Sequence, residues 1–407
     1  MSCTLQNIVN SDSVDNYYYA AYAANAKIAL GSAQLNKMLA NSTFLDLPFT
    51  LILLKEVIEY LQSVENLLQA RPTHTHHTEH ALYYLCQSID AFSRSCKHLV
   101  KTATETKREM NNDPFKTPPR LDTNDFDIWT DVLNQTKQTL KQCTLIMAAG
   151  INLAKTKQAT AKRAITISQS YVETMILLSQ MQFKVHDNST YKQAYEYLIK
   201  AEKMCSDTLY HQGFGYLASA YYNLGKMMIQ ANKHSEATSA LKNSIQLLER
   251  DVNRANTTSG KLHLCKRYEL YGVCCQAARR MDEAIHAYRT AMQRIPTAAL
   301  KSFASKHDTT SPSTRMTEEG FLTNIIEKYL AVSVADPTAQ SNVQIVADNF
   351  PSMSDFPIIQ QCFILESELK VCGKLSSKMD LLSHQQVIID RLLKMYDRRT
   401  YPIRRAR

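Results

Sequence analysis

Residues 221–241 read YYNLGKMMIQANKHSEATSAL and residues 268–288 read YELYGVCCQAARRMDEAIHAY; laid over one another, they decide the fold of the chain. Tyr221, Leu224, Gly225, Met228, Ala237 and Leu241 recur as Tyr268, Tyr271, Gly272, Cys275, Ala284 and Tyr288, each 47 positions later. These residue types suit two helices folded into a hairpin. Gly225 and Gly272 leave room for a second helix to cross the first, and Ala237 and Ala284 are small for the same reason seen from the other helix. The large residues Tyr221, Tyr268, Leu241 and Tyr288 fill the wedge between successive hairpins. Ala291 continues the second copy, and Pro296, which cannot continue a helix, closes it.

This pattern resembles the tetratricopeptide (TPR) repeat: an aromatic, a Leu-Gly pair, then Ala, a large residue and a late Pro. The 47-residue offset is longer than the usual period of about 34. The polar stretch Arg250 to Leu262, with Ser259-Gly260, therefore reads as an insertion between hairpins. A looser copy precedes, with Ala194, Leu198 and Ala201 on its second helix and Gln182 in the place of glycine. The expectation is an all-α protein, a TPR-like helical-repeat superhelix (α-solenoid) over residues 159–300.

Working outward, the whole chain supports helices. Nine glycines and eleven prolines in 407 residues are too few for the turns of a sheet protein. Leu54, Val57, Ile58, Leu61, Val64 and Leu67 stand at helical spacing, as do Leu82, Leu85, Ile89, Phe92 and Cys96. Residues 1–107 are expected to form an N-terminal helical segment, its third helix running from about His80 to Lys107. A loop over 108–125 (Pro114, Pro118, Pro119) follows, then a helical segment over 126–158. After the repeats come a loop over 301–317, with Ser311-Pro312-Ser313, and a C-terminal helical segment over 318–407.

Several function classes lose their support at this level. The start Met1-Ser2-Cys3-Thr4 has neither a basic start nor an apolar core, and Leu47 to Leu54 is too short to span a bilayer. A cytoplasmic and nuclear, non-secreted protein is expected, with no membrane contact. The ten cysteines include no C-x-x-C pair and read as reduced core residues. The net charge is +9, yet +6 of it falls within residues 391–407, so a nucleic-acid groove is not expected. His74, His76, His77 and His80 lack a Cys or Asp companion and read as a solvated loop rather than a metal site. Gly213-Phe214-Gly215-Tyr216-Leu217-Ala218 matches a loose dinucleotide pattern, but a helix precedes it where a strand is required, so it reads as a helix-to-helix joint. No catalytic residue, cofactor or metal is assigned.

The binding expectation is a protein or peptide partner. Tyr17-Tyr18-Tyr19 and Tyr22 read as core packing of an amphipathic helix, and one tyrosine of each pair Tyr83/Tyr84 and Tyr221/Tyr222 is expected to face out. Rotating about 120° from the packing stripe, at 100° per residue, selects Ser219, Tyr222, Lys226 and Ile229 on the first hairpin. The same rotation selects Lys266, Glu269, Val273 and Gln276 on the second. A mixed aromatic, basic and amide lining suits an extended, partly acidic segment lying along a concave surface.

The end of the chain carries a second resemblance. Tyr396-Asp397, followed by Tyr401-Pro402-Ile403-Arg404-Arg405-Ala406-Arg407, resembles a junction in the helical region of fungal separase, the protease that cleaves cohesin. The resemblance implies a scaffold region lacking the protease domain, which binds the inhibitory chaperone securin and supports the catalytic domain in sister-chromatid separation. Its sharp part covers about a dozen residues, and no catalytic residue carries over. A TPR-type adaptor, cohesin-loader-like or chaperone-like, is the alternative; an α-helical enzyme would need a site that no motif supplies.

Overall fold

Apolar residues every three or four positions leave one stripe on each segment that only another helix can cover, and the computed structural model pairs these stripes. It describes residues 15–41, 47–70, 76–112, 123–155, 161–182, 188–295, 324–333, 358–375 and 381–395. They hold fourteen helices and no strand: α1 (Asp15–Asn41), α2 (Leu47–Ala70), α3 (His76–Asn112), α4 (Thr123–Lys155), α5 (Ala161–Gln182), α6 (Asn188–Thr208), α7 (Gln212–Gln230), α8 (His234–Arg250), α9 (Val252–Ala255), α10 (Thr258–Ala277), α11 (Met281–Gln293), α12 (324–333), α13 (Ile358–Leu375) and α14 (Leu382–Met395). The protein is an all-α helical-repeat chain. Pro296, the 301–317 loop, His74 and residues 396–407 lie outside the described residues, as do the side chains of Tyr17, Tyr18 and Trp129.

The chain divides into two compact units, Met1–Leu217 and Ala218–Arg407, with the boundary inside α7. In the first unit α1 packs on α2 and α3, α4 on α2 and α3, and α5 on α3, α4 and α6. Leu54, Leu61, Leu85, Ile89, Phe92, Leu99, Leu140 and Ile146 are fully buried there. A polar seam runs between helices beside this core. Ser170 donates to Asp90 at 2.8 Å, Thr174 to Ser93 at 3.1 Å, and Ser88 bonds Asn25. Gln182, at the foot of α5, is 1% exposed; its amide donates to Gln193 at 3.2 Å and its carbonyl accepts from Lys137 at 3.0 Å.

In the second unit α10 packs on α8 and α11, and α13 on α14. Each hairpin turn is built alike. Asn232 and Arg279 adopt left-handed φ of 58° and 60°, and the next amide, Lys233 or Arg280, donates back to Met228 or Cys275 at 2.8 Å. This is the Schellman closure of a helix, reached without glycine.

The insertion over 250–262 is itself helical: Asp251 caps α9 through the Arg254 amide, and Thr257 caps α10 through the Gly260 amide. Its polar residues are there because helix starts need oxygen acceptors, and a Cβ at Gly260 would collide with the Arg254 carbonyl. Helix α3 continues to Asn112 rather than ending near Lys107, because Arg108, Glu109 and Met110 are good helix formers and the first proline comes only at 114. Tyr19 and Tyr22 are 59% and 43% exposed, not core, since α1 turns Ala20, Ala21, Ala24 and Ile28 inward.

Candidate functional site

Tyr221, Leu224, Ala237, Leu241, Ala284, Tyr288 and Ala291 are all 0% exposed, and Gly225 and Gly272 are buried among them. A Cβ at Gly225 would sit 2.8 Å from Leu241 Cγ, and one at Gly272 would sit 2.6 Å from Tyr288 Cε1. Tyr268 is half-buried, and its hydroxyl donates to Glu249 at 3.0 Å. This rigid wedge determines what the neighbouring residue presents. With Tyr221 wholly inside, Tyr222 is turned 100° further round and emerges half-buried.

Two cations share the Tyr222 ring. The Arg267 guanidinium carbon lies 4.9 Å from its centroid and Lys226 Nζ 5.9 Å, both within cation–π reach. Burial raises the pKa of the Tyr222 phenol, against the pull of Arg267. Arg267 is only 5% exposed. Its Nε donates to Ser244 Oγ at 2.7 Å, Nη1 to the His263 carbonyl at 3.1 Å and Nη2 to the Ala218 carbonyl at 3.5 Å. Ser244 Oγ donates to that same Ala218 carbonyl at 2.5 Å, so one guanidinium ties α7, α8 and α10 together. Burial pushes the Arg267 pKa down to about 10. His263 is also lowered, first by burial and then by Arg267, Lys266 and Arg254.

Of the residues selected by helical phase, Ser219, Lys226 and Lys266 are exposed and Ile229 is half-buried. The second hairpin departs from the expectation. Glu269 is 9% exposed, ion-paired with Lys328 of α12 and bonded by Asn324 at 3.5 Å. Val273 packs against the core that α12 to α14 complete. Gln276 accepts from the Tyr288 hydroxyl at 3.1 Å and so serves its own hairpin. The phase is equivalent on both hairpins, but α12 arrives on the second and closes that part of the face. Helical phase does not select His263, which is exposed but lies one turn before the selected residues, nor Arg267, because 267 falls at an inward phase. A charged residue at such a phase was the available signal.

The described cysteines are all buried and unbridged. Burial pushes the thiols of Cys86, Cys205, Cys274 and Cys372 up to about 12, and raises Cys96, Cys143 and Cys265 as well. They are therefore held in the thiol form, whereas nucleophiles and metal ligands are thiolates. Among the described residues no group of three or more His, Cys, Asp or Glu is placed to hold a metal ion. His80 lies beside Tyr84, ring centroids 5.7 Å apart. Gly213 and Gly215 lie in the first turn of α7, after a joint at Leu209 to His211. No described helix is long and apolar enough to cross a membrane.

No family model matches the chain, and no curated protein matches it. Among solved structures it is similar to BtubC (BKLC) from P. vanneervenii, at 11% identity over 64% of this chain and 91% of that one, with a TM-score of 0.26. It is also similar to a circular tandem repeat protein with novel repeat topology and enhanced subunit contact surfaces, at 10% identity, 93% and 97% coverage and a TM-score of 0.36. Likenesses this remote do not bear on function. The chain is an all-α helical-repeat protein on the strength of its own helices and of hairpin turns that recur with the sequence repeat.

Proposed function

We propose that this chain is a helical-repeat adaptor whose α7–α10 face holds an extended, partly acidic segment of another protein. The observation that carries the reading is Tyr222, half-exposed with Arg267 and Lys226 over its ring, beside the exposed Ser219 and Lys266. Such a surface offers stacking to apolar residues and a positive field to acidic ones, without requiring a deep pocket. Exposed lysines are screened beyond about 10 Å at 0.1 M salt, so binding should weaken with salt. In a Lys226→Glu/Lys266→Glu double variant, affinity for a fluorescein-labelled Glu-rich peptide should fall about three- to tenfold with helicity intact. Unchanged affinity, or no binding by the parent protein, would overturn the reading.

A finer version rests on the separase-like residues Tyr396-Asp397 and Tyr401 to Arg407. In it the bound segment belongs to a securin-like inhibitory chaperone and the chain supports a cohesin-cleaving protease domain. Co-purification with a co-expressed securin-like chaperone, lost in the same double variant, is the expected outcome; independent elution of the two proteins opposes it.

A further inference from the structure

The polar pins that join helices in the second unit differ in one respect. Glu249 is matched by Arg294 at 2.9 Å, and Glu269 by Lys328. Arg267 is the more deeply buried cation, yet its acceptors are a serine hydroxyl and two carbonyls, and among the described residues no carboxylate reaches it. A guanidinium has five N–H groups. Three are used, which leaves one on each terminal nitrogen. An uncompensated buried charge is costly, and an apolar residue of similar volume would pack the wedge at less expense. Among the described residues, His263 and Lys266 on its own helix and Arg254 of α9 are basic, and Lys226 reaches over the same tyrosine ring. The carboxylate that acts on that ring, Glu269, is ion-paired with Lys328.

Resting on the acidic-segment reading above, we infer that Arg267, roofed by Tyr222 and edged by His263, is the seat of one particular carboxylate of the bound segment. That carboxylate supplies the counter-charge that no described residue gives Arg267. Lys226 and Lys266 attract the segment from outside; Arg267 selects an Asp or Glu at one register position. Entry requires the half-exposed Tyr222 ring to turn between staggered rotamers. A bound carboxylate also favours the protonated form of His263. Binding should therefore take up a proton and strengthen as pH falls from 7 toward 5, where a free carboxylate with pKa near 4.3 is still ionised.

The test uses the full chain and two fluorescein-labelled peptides, repeats of Glu-Ser-Phe-Gly and of Gln-Ser-Phe-Gly. The Glu peptide should bind at least about tenfold more weakly to Arg267→Gln than to the parent, with partial recovery in Arg267→Lys. In the parent protein, the Arg267 Nε–H resonance should shift with the Glu peptide and stay in place with the Gln peptide. That measurement decides the matter if the Gln variant does not fold. His263→Asn should flatten the pH dependence. If the Glu peptide binds and responds to the lysine reversals, but the Arg267 resonance and the folded Arg267→Gln affinity do not change, the seat is wrong and the face stands. If the lysine reversals have no effect while Arg267→Gln abolishes binding, the seat stands and the extended face fails.

Discussion

The two units bury their helices by different means. The first uses long rods, with 27, 24, 37 and 33 residues in α1 to α4, joined along broad apolar stripes and a seam of Ser, Thr and Asn. The second uses helices of 17, 20 and 13 residues in α8, α10 and α11, where one glycine and one alanine at each crossing decide how closely the pair can approach. A long interface spreads its energy over many replaceable contacts; a short hairpin concentrates it. That is why the recurring residue pattern is sharp in the second unit and survives in the first only as the loose copy with Gln182, Ala194, Leu198 and Ala201.

The contrast breaks first at the crossings. Gly272→Leu and Ala284→Leu should each cost about 1–3 kcal/mol or more by overpacking, seen as a lower thermal midpoint. Midpoints equal to the parent's would mean the crossings are not close. A smaller effect of opposite sign is expected in the first unit. A Cβ at Gly31 of α1 would meet Phe92 at an ordinary 3.5 Å, so Gly31→Ala should gain about 0.5–1 kcal/mol from helix propensity alone. Gly31→Ala losing as much as Gly272→Leu would erase the distinction between the units. The smallest effect is in pH response. Glu283 is held below its ordinary value of 4.5, chiefly by the Tyr271 hydroxyl bond and then by Arg280. Its stabilising contribution is present above that ordinary value and is lost as pH falls through the lowered one. Lys27 is held above its ordinary 10.5, first by its bond to Glu56. Its contribution is present below 10.5 and is lost as pH rises through the raised value. With both pairs partly exposed, each amounts to about a few tenths of a kcal/mol. Glu283→Gln should remove a part of the acid sensitivity and Lys27→Met a part of the alkaline sensitivity, read as denaturant midpoints across pH.

Helix content was legible because stripes at 3.6-residue spacing and scarce glycine leave no other fold. Helix ends were less so. Pro48, within the apolar stretch Leu47 to Leu54, stands in the first turn of α2, where its missing N–H does no harm. Tyr19 and Tyr22 of α1 read as core because they are large. Alanines took the inward face instead, a choice that depends on how closely α3 approaches and not on α1 itself. At the candidate site, helical phase separates Tyr221 from Tyr222, since adjacent residues differ by 100°. It cannot say that Glu269 and Val273 would be covered, because their cover comes from α12, more than fifty residues further on. Arg267 lay hidden for a related reason: its partners belong to three helices.

The buried thiols have a consequence for how the chain ages. Each sulfur is sheltered only while its helices remain packed, so every opening of a hairpin exposes a group that an oxidant can modify before the hairpin recloses. Cys274 and Cys275 sit at a single crossing and Cys86 and Cys143 in the interior of the other unit. Sulfenylation at one pair or the other would therefore accumulate as a record of which unit opens more often. An added oxygen at a site with no spare volume would then hold that unit open. Only where the oxidant carries a sulfur past the reversible sulfenic acid to the sulfinic level would a breathing motion leave a permanent mark.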